Sequence, residues 1–151
     1  MTIEKPSPRF IIGSRHAGLS RLTSINAYST ILQKGILGEI SDTQRKALIV
    51  ISDCCETSWE CWKTLTKLIE QNEDDKAIEI LCQTDTSGQS YLEKNFIQKS
   101  ISCLEIAKKE VSSILEKAQN LTDEQRHYVE MIDNNCQHEI DIWIEVSLYY
   151  S

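Results

Sequence analysis

SDTQRKALIVISDCCETSWECW, residues 41–62, is the stretch on which the fold turns, because TDEQRHYVEMIDNNCQHEIDIW, residues 122–143, repeats its plan. At an offset of 81 residues Asp42, Gln44, Arg45, Ile51, Cys55 and Trp62 meet Asp123, Gln125, Arg126, Ile132, Cys136 and Trp143, and Ser41 meets Thr122. Any two amphipathic helices share apolar spacing, but a hydroxyl followed by Asp, Gln and Arg lies off the core stripe, so periodicity does not explain the match. Ser41 and Thr122 are residue types that cap a helix by accepting a backbone N–H of its first turn. Behind the caps, Leu48, Ile51, Cys55, Trp59, Trp62, Leu65 and Ile69 mark one long apolar stripe; Val129, Ile132, Cys136, Ile140 and Trp143 mark another.

Upstream, Ile11, Gly18, Leu22, Ile25 and Leu32 recur at intervals of three, four and seven and predict a helix over about residues 9–33. Lys34 to Ile40, with Gly35 and Gly38, breaks it, and so short a connection makes the first two helices an antiparallel hairpin. Downstream of the first stripe, Asn72 to Asp75 is an acidic break with capping residues, Ala77 to Cys82 a short helical extension, and Thr84 to Ser90 with Gly88 a linker. Ile97, Ile101, Leu104, Val111 and Ile114 then predict the partner of the second long helix. The expected organisation is a flexible arm at 1–8, a first hairpin at 9–83, a linker at 84–90 and a second hairpin at 91–151. A lone hairpin cannot bury both of its stripes, so the expected fold is all-α, an antiparallel four-helix bundle from two tandem hairpins. It would be a monomeric pseudo-dimer, or a homodimer if two chains exchange hairpins through the linker.

The 151 residues carry 16 Lys and Arg against 23 Asp and Glu, a formal charge of −7, which argues against a phosphate-backbone binder. No apolar run approaches the roughly 20 residues that cross a bilayer, and the first 20 residues have no signal-peptide core, so a cytoplasmic protein is expected, with no membrane and no nucleic-acid partner. The six cysteines read as reduced, mostly buried thiols, and none are spaced C-x-x-C. His127, Cys136 and His138 fall on opposite sides of one helix, so no metal site is expected, and no cofactor. Trp59, Trp62 and Trp143 are expected in the core, and Arg45 and Arg126 are expected to pair with Asp42 or Asp123. The carboxylate pairs Asp74 with Asp75 and Glu139 with Asp141 are expected to be solvated.

His16-Ala-Gly-Leu-Ser-Arg-Leu-Thr-Ser-Ile25, then Tyr28, then Gly38-Glu-Ile-Ser-Asp-Thr-Gln44 with Leu48 and Ile51, resembles the dimerisation and histidine phosphotransfer domain of sensor histidine kinases. The resemblance covers about residues 10–69, and the internal repeat extends it weakly to 90–148. It implies a phosphoacceptor role for His16, with a response-regulator receiver domain or a histidine kinase as partner. Helical geometry points the same way: His16 falls opposite the α-helical stripe of Leu22 and Ile25 and should project outward, with Ser20, Thr23 and Ala27 as small neighbours. The expected partner-binding face is thus His16, Ala17, Ser20, Thr23 and Ala27, with His16 and Ser20 as the residues of any chemistry.

The departures matter as much. Ala17 replaces the acidic residue that follows the family's histidine and orients its imidazole, Leu19 and Arg21 replace its Arg and Pro, and Ser20 stands at the Thr position. With the proline absent, the associated helix kink is expected to be absent too. The second hairpin has no histidine near Gln98 to Ser102, so phosphotransfer would be one-sided. The five glycines form neither a phosphate-cradling loop nor an ATP lid, and no autonomous kinase activity is expected. Two readings follow: a signalling adaptor that binds a receiver or a kinase, or an active phosphotransfer protein working through His16.

Overall fold

A computed structural model describes residues 6–117 and 120–151 and is all-helical. The elements are α1 (Arg9–Gln33), α2 (Asp42–Glu70), α3 (Asp74–Leu81), α4 (Gln98–Lys117) and α5 (Asp123–Tyr150). A π-helical turn, Glu93–Ile97, leads into α4. Each of the four long helices packs on two others, in the cyclic order α1, α2, α4, α5.

The starts of α2 and α5 are built alike. Ser41 Oγ accepts from the Gln44 N–H at 3.1 Å while Gln44 Oε1 accepts from the Ser41 N–H at 2.9 Å. Thr122 and Gln125 make the same reciprocal pair at 3.1 and 2.9 Å. Two otherwise orphaned backbone donors are satisfied at each start. Gln125 also reaches across to donate to the Glu39 carbonyl at 3.3 Å, tying the start of α5 to the α1–α2 connection at one end of the molecule. At the other end the Ser7 N–H donates to the Tyr149 hydroxyl at 3.2 Å and Phe10 stacks on Tyr149 with ring centroids 4.2 Å apart. Of the arm expected over residues 1–8, residues 1–5 lie outside the described residues.

The predicted stripes enter the core: Ile11, Gly18, Leu22, Ile25 and Leu32 of α1 are buried, as are Leu48, Ile51, Cys55, Trp62, Leu65 and Ile69 of α2. So are Val129, Ile132, Cys136, Ile140 and Trp143 of α5. Burial on α4 follows α1 at an offset of 82, with Ser100, Leu104, Ala107, Val111 and Ile114 answering Gly18, Leu22, Ile25, Ser29 and Leu32. Cys54, Cys55, Cys61 and Cys136 are buried thiols, and Cys82 and Cys103 are half-buried.

Two segments take a defined form, and two expectations change. The acidic break turns into the start of a separate helix, α3, because Asp74 and Asp75 occupy its first turn, where the helix dipole favours negative charge. Thr84 to Ser90 folds as a closed turn: Thr84 and Ser90 bridge, and Asp85 Oδ1 accepts from the Ser87 and Gln89 amides at 2.8 and 3.2 Å. Arg45 donates to the Gln33 carbonyl at the end of α1, and among the described residues neither Arg45 nor Arg126 has a carboxylate partner. An exposed ion pair gains little in water, whereas the last carbonyls of a helix lack partners of their own. Trp59 is only half-buried, one residue past Ser58, which takes the buried position between Cys55 and Trp62. Among the described residues no helix is long and apolar enough to cross a membrane.

Candidate functional site

Helix α1 runs unbroken through Leu19 and Arg21. Its inner face is fixed by Gly18, Leu22 and Ile25, and that registration turns His16, Ala17, Ser20, Thr23 and Ala27 outward, where all five are exposed. Among the described residues the His16 ring has no hydrogen-bond partner, and Ala17 offers no carboxylate to hold it. An imidazole in this setting is an accessible nitrogen nucleophile whose ring orientation is left to solvent. Thr23 Oγ1 donates to the Leu19 carbonyl at 2.8 Å, so that hydroxyl keeps only its acceptor side for a partner.

Thr23 joins the exposed face to a groove between α1 and α2. Leu22, Thr23 and Asn26 form one wall and Ser52, Glu56 and Trp59 much of the other, enclosing about 430 Å³. The half-burial of Trp59 is explained by this position, since one side of its indole meets the core and the other lines the groove.

Directly beneath α1 lies a second cluster, all of it buried. Trp62 of α2 and Trp143 of α5 stack with ring centroids 3.8 Å apart and planes 21° from parallel. Trp62 Nε1 donates to Glu139 Oε1 at 2.8 Å and Trp143 Nε1 donates to Ser58 Oγ at 3.1 Å. Ser58 and Glu139 stand 81 residues apart, the same offset that relates the two tryptophans, and their side-chain oxygens are 3.5 Å apart. Gly18 is the seat of this stack: a Cβ there would come within 2.7 Å of Trp62 Nε1.

Glu139 overturns the expectation of a solvated carboxylate. Its relative exposure is 0%, and its Oε2 has no hydrogen-bond partner. Burial pushes the carboxyl up to about 7, against the lowering effect of the Trp62 and Ser58 hydrogen bonds and the Arg21 charge. The signal was present in the spacing, since residues 132, 136, 139 and 143 keep the three-and-four rhythm of the stripe, but Glu at one of those positions reads as a surface residue by type. Asp141, two residues on, is exposed as expected.

Arg21 connects the two clusters. It projects from α1 beside the exposed face and donates to Asn135 Oδ1 on α5 at 3.4 Å. Asn135 lies one helical turn before Glu139. Of the other residues considered as ligands, His127 and His138 are exposed and Cys136 is buried, so the structure does not bring them together.

Comparison with protein-family models, with curated proteins and with solved structures finds no match.

Proposed function

We propose that this protein is a two-component signalling adaptor: a single-chain counterpart of the four-helix dimer formed by histidine kinase dimerisation hairpins, presenting one face of α1 to a response-regulator receiver or to a kinase. The observation that carries the reading is the outward placement of His16, Ala17, Ser20, Thr23 and Ala27 on one unbroken helix. Support for the tandem-hairpin architecture comes from the matched capping boxes of α2 and α5, the two offsets that relate their buried positions and those of α1 and α4, and the stacked Trp62 and Trp143. Receiver and kinase partners are cytoplasmic, and the same compartment is proposed here.

A second reading, active phosphotransfer, is favoured by the unobstructed His16 ring. In that reaction an imidazole nitrogen attacks the phosphorus of an aspartyl phosphate, the P–O bond to the carboxylate breaks, the aspartate leaves as its anion and the ring proton passes to solvent. Binding is placed ahead of chemistry because Ala17 leaves the imidazole without a carboxylate to orient it.

The test is to incubate the protein with phosphorylated receiver domains and with active histidine kinases, and to assay acid-labile phosphate and pull-down in parallel. Adaptor function predicts retained binding with no label, in wild type and His16→Ala alike. Label in the wild type that is lost in His16→Ala makes His16 a phosphoacceptor. Loss of both binding and label removes the two-component reading.

A further inference from the structure

We propose that Glu139 and Arg21 form a proton-gated latch between α5 and α1: neutral Glu139 leaves Arg21 on Asn135, and ionised Glu139 draws the guanidinium onto its unpartnered oxygen. The inference is independent of what binds the His16 face. A fully buried carboxyl oxygen with no partner is costly in water-free surroundings and far costlier when charged. The other oxygen is already held by the Trp62 indole, so the carboxyl cannot turn away to solvent. Any relief on ionisation must therefore come from a donor that moves in.

The groups packed around it leave one donor for that task. From α1 the facing charge is Arg21. Across the core α2 presents the Cys55 thiol beside Ser58 and Trp62, all uncharged, and on α5 itself the nearest titratable group inside the core is Cys136, whose thiol burial pushes up to about 12. Helix α4 presents Lys108, which is engaged with Gln137 Oε1 at 2.6 Å and with Asp133 at 4.0 Å. The π-helical turn presents Glu93, bonded to Ser147 two turns further along α5. Among the described residues Arg21 is held by one long bond, to Asn135 one turn away on the same face of α5, which leaves the other donors of its guanidinium free to turn toward Glu139. When the proton leaves Glu139 for solvent, the charge left behind and the Arg21 cation pair across the α1–α5 seam, and the surface beside Ser20 changes shape.

The experiment follows the indole N–H resonances of Trp59, Trp62 and Trp143 in the intact protein by NMR between about pH 5 and pH 9, a range that spans the shifted carboxyl. The latch predicts a one-proton transition at Trp62 with a midpoint near 7, absent from Glu139→Gln and unmoved by His138→Gln, the adjacent exposed imidazole. Arg21→Gln is expected to raise the midpoint and Arg21→Lys to bring it back toward the wild-type value. A flat Trp62 signal, a transition that survives Glu139→Gln or disappears in His138→Gln, or a midpoint that ignores Arg21→Gln overturns the proposal. Arg21 is exposed, so its variants decide the matter even where Glu139→Gln fails to fold.

Discussion

Gly18 shows how one atom sets the register of a helix. Alanine in a helix interior is ordinarily better than glycine by about 1 kcal/mol, but a Cβ at Gly18 would sit 2.7 Å from an indole pinned by stacking and by a hydrogen bond. Overpacking of this kind costs about 1–3 kcal/mol, so the clash outweighs the propensity gain. Gly18→Ala is expected to lower stability to urea denaturation and to redshift the buried tryptophan fluorescence; an unchanged or raised midpoint would show that the stack can slide aside. Glu139 sets the response to pH. Its carboxyl rises from 4.5 in the unfolded reference to about 7 in the fold, so the folded state holds the proton more tightly than the unfolded chain. The stability this gives is complete below pH 4.5 and is lost as pH rises through 7, a span worth about 3 kcal/mol at 1.36 kcal/mol per unit. Glu139→Gln should flatten that part of the stability profile and be the more stable protein at alkaline pH. A wild-type profile that climbs from acid to neutral pH through this group has the opposite sign and is not compatible with the buried geometry.

At the scale of the helix, caps and stripes were legible and chemistry in the core was not. The Ser41 and Thr122 caps were readable because a capping box is a local event, written within four residues and blind to the rest of the chain. Ser41→Ala and Thr122→Ala are each expected to cost about 1 kcal/mol, measured as separate shifts in the denaturation midpoint. A negligible loss at Thr122 would mean that the Gln125 bond to Glu39 holds the helix start unaided. The stripes of α1, α2 and α5 were readable because burial repeats with the helical period, and the outward turn of His16 followed from the same wheel. What stayed hidden depends on neighbours far along the chain. Glu139 is buried because two tryptophans and Ser58 reach it from another helix, Arg45 bonds the end of α1, and Trp59 borders a groove that exists only once α1 and α2 have packed. Asn72 to Asp75 reads as an acidic break with capping residues, and α3 begins inside it, at Asp74, because those charges favour a helix start.

For the molecule as a whole, each long helix in the cyclic order α1, α2, α4, α5 packs on two others, so neither α1 with α2 nor α4 with α5 covers its own stripe alone. Fragments 6–83 and 91–151, made separately and mixed, are therefore expected to re-form a one-to-one complex with native helical circular dichroism and the native Trp62 indole signal. Failure to associate would show that the closed turn at Thr84 to Ser90 contributes more than connection. The first fragment alone would have to pair with its own copy, bringing Ser58 opposite Ser58 where the intact chain has Glu139. In a protein assembled from two identical chains every residue on the dyad confronts its own duplicate, and a glutamate there would bring a second buried acid against the first. Within one polypeptide that constraint is absent: Glu139 faces Ser58, one carboxyl group stands where a symmetric pair would place two, and the two sides of the core are free to differ.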